Sequence, residues 1–298
     1  MSFKDSILKA RKAGASDLHL EAGTAMVARV RGELTPVGEP LTGAQLMGIA
    51  QELLTQEDWA DFNTRGSVDL SLVAAGARCR INLFRTIRGL ALAVRLLPQS
   101  VGDLRACNLH PDLRRLVTAS AGLVLVSGPT GSGKTTWTKA LIREIPADER
   151  LITIEDAQEL ILDRHANHVR LYYSKDDQGQ ARVTPKQLLE SCLRMRPDRI
   201  LLAELRAEEA FDYLRSVNSG HPGSITSVHA TSAELAFEQL VLLIKQSPGG
   251  RDLARADIKG LLYLLIDVVI QCGVERHERF IKEIWFHPEC KRRDRALS

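Results

Sequence analysis

Several classes of protein are excluded by what this chain does not contain. Its five cysteines, Cys79, Cys107, Cys192, Cys272 and Cys290, lie far apart with no C-x-x-C pair, which argues against a zinc ribbon, a dithiol redox motif or a disulfide framework. Reduced, structural thiols are expected. No apolar stretch is long enough for a membrane helix: the longest candidate, Leu261 to Ile270, is interrupted by Asp267, whereas a span needs about 20 apolar residues. The opening MSFKDSILKARKAG has no apolar run followed by a small-residue cleavage site, so a cytoplasmic location is expected. Charge of one sign is also missing. The 40 Lys and Arg against 37 Asp and Glu leave a formal +3, too balanced for an extended nucleic-acid footprint, and no direct nucleic-acid binding is inferred. There is no internal repeat and no low-complexity tract.

What is present suits a folded protein of one large or two modest domains. The 298 residues are 44% hydrophobic and 26% charged, and the length is about twice the ~150 residues of a typical domain. A short amphipathic helix opens the chain, with Phe3, Ile7 and Leu8 on one face and Gly14 ending it. Asp17 to Glu21 and Met26 to Val30 alternate like strands around turns at Gly23 and Gly32. Leu46 to Phe62 has helical periodicity, and Val68 to Leu72, Ala77 to Phe84 and Leu90 to Leu97 return to strand character. This predicts an antiparallel sheet with flanking helices. Pro98 to Gly102 is the expected linker.

Beyond it the pattern changes to strands alternating with helices. Strands are expected at Leu123 to Ser127, Leu151 to Glu155, Ile200 to Glu204 and Ser224 to His229. Helices are expected from Gly133, over Pro185 to Leu193 and over Glu208 to Val217. Such alternation predicts an α/β fold with a largely parallel sheet. The expected division is residues 1–105 for a smaller N-terminal α+β sheet domain with linker and residues 106–298 for the α/β domain.

The motif with the clearest chemistry spans Gly128 to Thr135, which matches G-x-x-x-x-G-K-[ST] between a predicted strand and a helix with Trp137, Leu141 and Ile145 on its apolar face. Gly128, Gly131 and Gly133 leave room for backbone N–H groups to curl around phosphate oxygens, with Ser132 and Thr136 in the same cradle. The helix N-terminus adds positive dipole charge. Lys134 can reach the outer phosphates as a point charge, and the Thr135 hydroxyl can ligate Mg²⁺. Glu155-Asp156 and Glu204 close two strands and would project at the carboxyl edge of a parallel sheet, as would His229. Each acid has an alternative reading as a helix-capping carboxylate. The Gly220-His221-Pro222-Gly223 segment reads as a tight turn. His19, His110, His165 and His168 lack metal-ligand spacing and read as surface or satisfied polar groups.

At these residues the sequence resembles the VirB-class ATPases of type IV secretion systems, within the wider family of secretion ATPases that includes the PilT and GspE types. Four stretches carry the likeness in the family's order: GPTGSGKTT at 128–136, RLITIEDAQEL at 150–160, SCLRMRPDRILLAELR at 191–206 and SGHPGSITSVHA at 219–230. They correspond to the family's Walker A, Asp box, Walker B and His box, and AELAFEQLVLLIKQSPGG at 233–250 continues the likeness. The opening AGASDLHLEAGTAMVARVRGEL looks more like the N-terminal domains of the PilT and GspE types, although the tetracysteine element of GspE is absent.

The resemblance implies a RecA-like P-loop ATPase domain behind an N-terminal sheet domain, assembled as a homohexamer that uses ATP and Mg²⁺. It implies that Glu155 and Glu204 share the general-base and metal-orienting roles, with Thr135 and Glu204 at the metal and His229 sensing the γ-phosphate. Arg85 and Arg95, in the arginine-bearing stretch ARCRINLFRTIRGLALAVRLLP at 77–98, are the expected nucleotide contacts from the N-terminal domain. Expected partners are inner-membrane type IV secretion subunits and other secretion ATPases, with the motor peripheral at the inner membrane. The basic run Lys291 to Arg295 reads as a solvated terminus, with anionic lipid or DNA as the lesser alternative. A pilus assembly or retraction ATPase, or a type II secretion ATPase, is the runner-up within the class. A helicase or recombinase would predict a basic groove, and an inert nucleotide-binding protein would lack the two strand-end acids.

Overall fold

The computed structural model describes residues 2–98, 102–118, 122–173, 183–206, 209–221, 223–276 and 278–286. Within it the chain forms two compact units, one of residues 1–100 and one of residues 101–173 and 181–298. The first unit holds α1 (Phe3–Lys12), β1 (Ala15–Glu21), β2 (Ala25–Val30), β3 (Glu33–Pro40), α2 (Gly43–Leu53), α3 (Gln56–Arg65), β4 (Ser67–Ala74), β5 (Ala77–Thr86) and β6 (Gly89–Leu97). Its six strands are antiparallel in the order β3-β2-β1-β6-β5-β4. Leu18, Leu20, Met26, Ile81, Leu83, Leu92 and Val94 fill one face and pack with Phe3, Ile7, Leu46 and Ile49 of the helices. Strand alternation therefore leaves Asp17, His19, Asn82 and Arg95 on the opposite face.

Three details differ from the sequence reading. Leu8 is 40% exposed, because the buried stripe of α1 runs through Phe3, Ser6, Ile7 and Ala10 at helical spacing. The stretch from Leu46 to Phe62 is two helices: Leu54 leaves the helical region and Thr55 starts α3 by reciprocal hydrogen bonds with Asp58. The strand β3 has no counterpart in the reading. It lies at the sheet edge with a nearly uniform exposed pattern, and Pro36 and Pro40 are tolerated there because an edge strand need not donate on both sides.

The second unit contains α4 (Arg114–Thr118), β7 (Leu123–Ser127), α5 (Lys134–Ile142), β8 (Leu151–Glu155), β9 (His168–Tyr172), α6 (Pro185–Cys192), β10 (Arg199–Leu202), α7 (Glu209–Asn218), β11 (Ser224–Val228), α8 (Ala233–Gln246), α9 (Arg255–Leu265), β12 (Ile266–Glu275) and β13 (Glu278–Phe286). The sheet order is β13-β12-β7-β11-β10-β8-β9, parallel throughout except for β13. Every residue of β7, β8, β10 and β11 is buried, as expected for strands covered on both faces. Trp137, Leu141 and Ile145 pack on one side of the sheet, and Leu189, Tyr213, Leu240 and Ile258 pack on the other. The result is the α/β fold with a largely parallel sheet that the sequence predicts.

The apolar run Leu261 to Ile270 is split between the end of α9 and the start of β12. No helix among the described residues is long and apolar enough to cross a membrane. Cys79, Cys192 and Cys272 are buried free thiols and Cys107 is half-buried. Burial pushes Cys79 up to about 11 and Cys192 and Cys272 up to about 12. Cys290, the run from Lys291 to Arg295, Pro222, Glu208 and residues 99–101 of the expected linker lie outside the described residues.

Candidate nucleotide site

The loop after β7 is shaped by its glycines. Gly131 and Gly133 have φ of 84° and 87°, values that L side chains rarely adopt. Gly128 is required by space instead: a Cβ there would lie 2.5 Å from Ser132 Oγ and 2.9 Å from Cys272 Cβ, so the loop seats against β12 only without a side chain. Ser132 Oγ donates to the Pro129 carbonyl at 2.7 Å and is buried. Arg279 of β13 lies against the same loop, with its Nε donating to the Gly131 carbonyl at 3.3 Å. Gly133 is the N-cap of α5 and supplies no capping side chain, so the first-turn N–H groups and the helix dipole are available to an anion. Lys134 is buried, Thr135 exposed and Thr136 half-buried at this helix start.

Strand order decides which side chains meet. β7, β11, β10 and β8 are consecutive neighbours, about 4.8 Å apart, and all deliver their carboxyl ends to the same edge. Lys134 follows β7, His229 follows β11, Glu204 lies two residues beyond β10, and Asp156 follows β8. Thus β10 ends at Leu202 and β11 at Val228, slightly short of the expected strands, and both side chains sit on the loops that leave the edge.

A continuous polar chain crosses these ends. Lys134 Nζ is 3.0 Å from His229 Nδ1, and His229 Nε2 is 2.6 Å from Glu204 Oε1. Arg206 Nε donates to Glu204 Oε2 at 2.7 Å while its Nη1 donates to Asp156 Oδ2 at 2.8 Å. An ammonium can only donate, so His229 Nδ1 accepts and the ring proton is assigned to Nε2, facing Glu204. Apart from this close approach of His229 Nε2, Glu204 Oε1 is a buried oxygen without a hydrogen bond among the described residues.

The charges of this chain are mutually adjusted. Burial lowers the pKa of Lys134 and the Glu204 carboxylate opposes that shift. Burial also lowers His229, followed by the neighbouring Lys134 charge, with Glu204 again in opposition. For Arg206 burial disfavours the charge, but Asp156 and Glu204 together outweigh it and hold the guanidinium above its ordinary value.

Glu155 sits differently. It is fully buried at the last position of β8, and its Oε2 accepts from the backbone N–H groups of Glu159 at 2.8 Å and Leu160 at 2.7 Å. Thr153 Oγ1 donates to Oε1 at 3.1 Å, and Arg170 Nη1 stands 4.0 Å from the same oxygen. Burial raises the Glu155 pKa and outweighs these partners.

Among the expected arginines, Arg85 donates to Asn63 Oδ1 at 2.8 Å and lies 4.9 Å from the centre of the Phe62 ring. Arg95 is paired across strands with Asp17 and Arg80 on the polar face of the six-stranded sheet. These contacts all lie within the first unit. His19 lines the same shallow pocket as Asp17, Asp69, Arg80 and Arg95. His165 is buried, with Nε2 near the Ile145 carbonyl at 3.1 Å and Nδ1 without a hydrogen bond among the described residues, so it is not the surface group expected.

Sequence reasoning did not single out Arg206, although it lies only two residues beyond Glu204. Arg279 gave no comparable signal, since its approach to the loop depends on the β12–β13 hairpin.

Comparison with known proteins follows the same outline. Residues 2–290 match the family described as Type II/IV secretion system protein. The type IV secretion system protein VirB11 of Bartonella henselae is 59% identical over 165 residues, 55% of this chain and 46% of that protein. VirB11 of Brucella suis is 45% identical over 220 residues, 72% of this chain and 60% of that protein. The chain thus spans about half the length of the curated relatives it matches. Among solved structures, the Brucella suis VirB11 ATPase in complex with sulphate is 32% identical, with a TM-score of 0.57 over 99% of this chain and 97% of that one. The pilus retraction motor PilT with bound ADP is 24% identical, with a TM-score of 0.80 over 100% of this chain and 89% of that one, a likeness of fold.

Proposed function

The chain belongs to the Type II/IV secretion system protein family, and from that premise we propose that it is a Mg²⁺-dependent ATPase that powers type IV secretion as a homohexameric motor at the inner membrane. The observation that carries the reading is the row of Lys134, His229, Glu204 and Asp156 along one sheet edge, beside a glycine loop shaped for phosphate. In this account residues 106–298 form the ATPase domain and residues 1–105 an N-terminal domain. Arg85 and Arg95 are its nucleotide contacts, and machine subunits at the inner membrane are the partners.

Backbone N–H groups from Gly131 to Thr136 would hold the phosphates, with the α5 dipole behind them. Lys134 would exchange His229 for a phosphate oxygen, and the imidazole, once Nδ1 carries a proton, would donate to the γ-phosphate. The donors suit Mg²⁺: Thr135 offers a hydroxyl, and Glu204 a carboxylate with one unsatisfied buried oxygen. When bound, Mg²⁺ neutralises charge developing on the transferred phosphoryl group.

The two acids divide the remaining work. Glu155, whose proton affinity burial has raised, is the better general base, because a base serves best when its pKa moves toward working pH. Its Oε2 is occupied by the Glu159 and Leu160 N–H groups, which leaves Oε1, beside Thr153, as the oxygen to take the proton. Glu204, compensated by Arg206 and His229, is the metal-side carboxylate.

The test is steady-state ATP hydrolysis by the purified chain with and without Mg²⁺, coupled to mass determination by light scattering. Mg²⁺-dependent turnover and a six-fold mass are expected. Absence of turnover would overturn the catalytic reading, and a monomer in the presence of ATP would overturn the ring.

A further inference from the structure

Arg206 joins two strand ends in the candidate site. One edge of its guanidinium meets Glu204 Oε2, with Nε at 2.7 Å and Nη2 at 2.6 Å, and Nη1 meets Asp156 Oδ2 at 2.8 Å. The two carboxylates belong to the ends of β10 and β8, neighbouring strands in register from Arg199↔Leu151 to Leu202↔Ile154. Glu204 and Asp156 are 15% and 10% exposed and the Arg206 side chain is 35% exposed, so the carboxylates are largely withdrawn from water while the guanidinium keeps one side in it. The Arg206 backbone is fixed as well, its N–H donating to Glu209 Oε1 at 2.7 Å.

We propose that Arg206 is a positioning residue for ATP hydrolysis: it fastens Glu204 to Asp156, and so to the Glu155 strand end, and thereby fixes the separation of the two working carboxylates. This rests on the ATPase reading above. The geometry favours it because a planar fork can serve two acceptors on different strands at once, which a lysine ammonium reproduces poorly. Its position matters because Asp156 is bonded to Glu155 through the main chain, so movement of one strand end relative to the other would separate the base from the metal-side acid. A displacement of about 1 Å between reacting groups costs on the order of 10²-fold in rate.

Full-length protein carrying Arg206→Gln, Arg206→Lys, Asp156→Asn and the double change Arg206→Gln/Asp156→Asn would be assayed for kcat, for KM and for binding of a fluorescent ATP analogue. For Arg206→Gln, kcat is expected to fall by about 10²-fold with KM and analogue affinity within a few-fold of wild type. Arg206→Lys is expected to recover part of that loss. Asp156→Asn is expected to lower kcat through the same contact, so the double variant should be little worse than Arg206→Gln alone. Asp156→Asn tests the link from the other side if Arg206→Gln folds poorly. Wild-type kcat in Arg206→Gln, a loss confined to KM, or multiplied losses in the double variant would overturn the proposal. If the wild-type chain itself hydrolyses no ATP, the ATPase reading falls first and this proposal with it.

Discussion

Glu155 and Glu204 stand at the ends of adjacent strands of one sheet, β8 and β10, and their surroundings differ in kind. Glu155 is enclosed, accepts from two backbone N–H groups of its own turn, and is pushed toward protonation by burial. Glu204 lies in a string of nitrogen groups, between His229 and Arg206, and keeps one buried oxygen without a hydrogen bond. Two residues of the same type, one strand apart, are therefore set in different environments, by burial in one case and by pairing in the other, and the proposed division of their roles rests on that difference. The base-like environment belongs to the acid held by backbone, and the ligand-like environment to the acid held by side chains.

The strongest disturbance removes what both acids depend on. Lys134→Ala is expected to lower ATP turnover on the order of 10³-fold and to weaken nucleotide binding, read by hydrolysis and by an ATP analogue. The next effect separates the acids: Glu155→Gln should lower turnover by about 10²-fold or more while nucleotide binding remains near wild type. Glu204→Gln should also slow turnover, with the distinguishing mark of a Mg²⁺ requirement raised about 10-fold or more. The smallest effect is a shift in pH dependence. Glu155 can accept a proton only as a carboxylate, so turnover should be present above its folded pKa and decline as pH falls through it. Because burial raises that value, the decline should begin above the ordinary 4.5 and vanish in the residual activity of Glu155→Gln.

Much of this site is legible in the sequence. The glycine loop, Lys134, both acids and His229 follow from motif spacing and from the rule that parallel strands bring functional groups to their carboxyl edge. Which of them touch was not legible, because contact depends on the order β7-β11-β10-β8, and sequence order does not state spatial order. Arg206 stayed hidden for that reason, as its two partners are 2 and 50 positions away along the chain. In the first unit, hairpin alternation identified five of the strands, while β3 escaped because an exposed edge strand buries no periodic stripe. The break at Thr55 was missed because apolar periodicity continues across it, although Thr55 and Asp58 have the spacing of a capping box. β12 was obscured by the apolar end of α9, where one hydrophobic run serves a helix and then a strand.

A Mg²⁺ titration of ATP turnover, run in parallel on wild type, Glu155→Gln and Glu204→Gln, bears most directly on the division between the two acids. Glu155→Gln should keep the wild-type Mg²⁺ midpoint beneath a much lower plateau, and Glu204→Gln should move the midpoint to higher Mg²⁺. A shifted midpoint in Glu155→Gln with an unchanged one in Glu204→Gln would contradict the assignment.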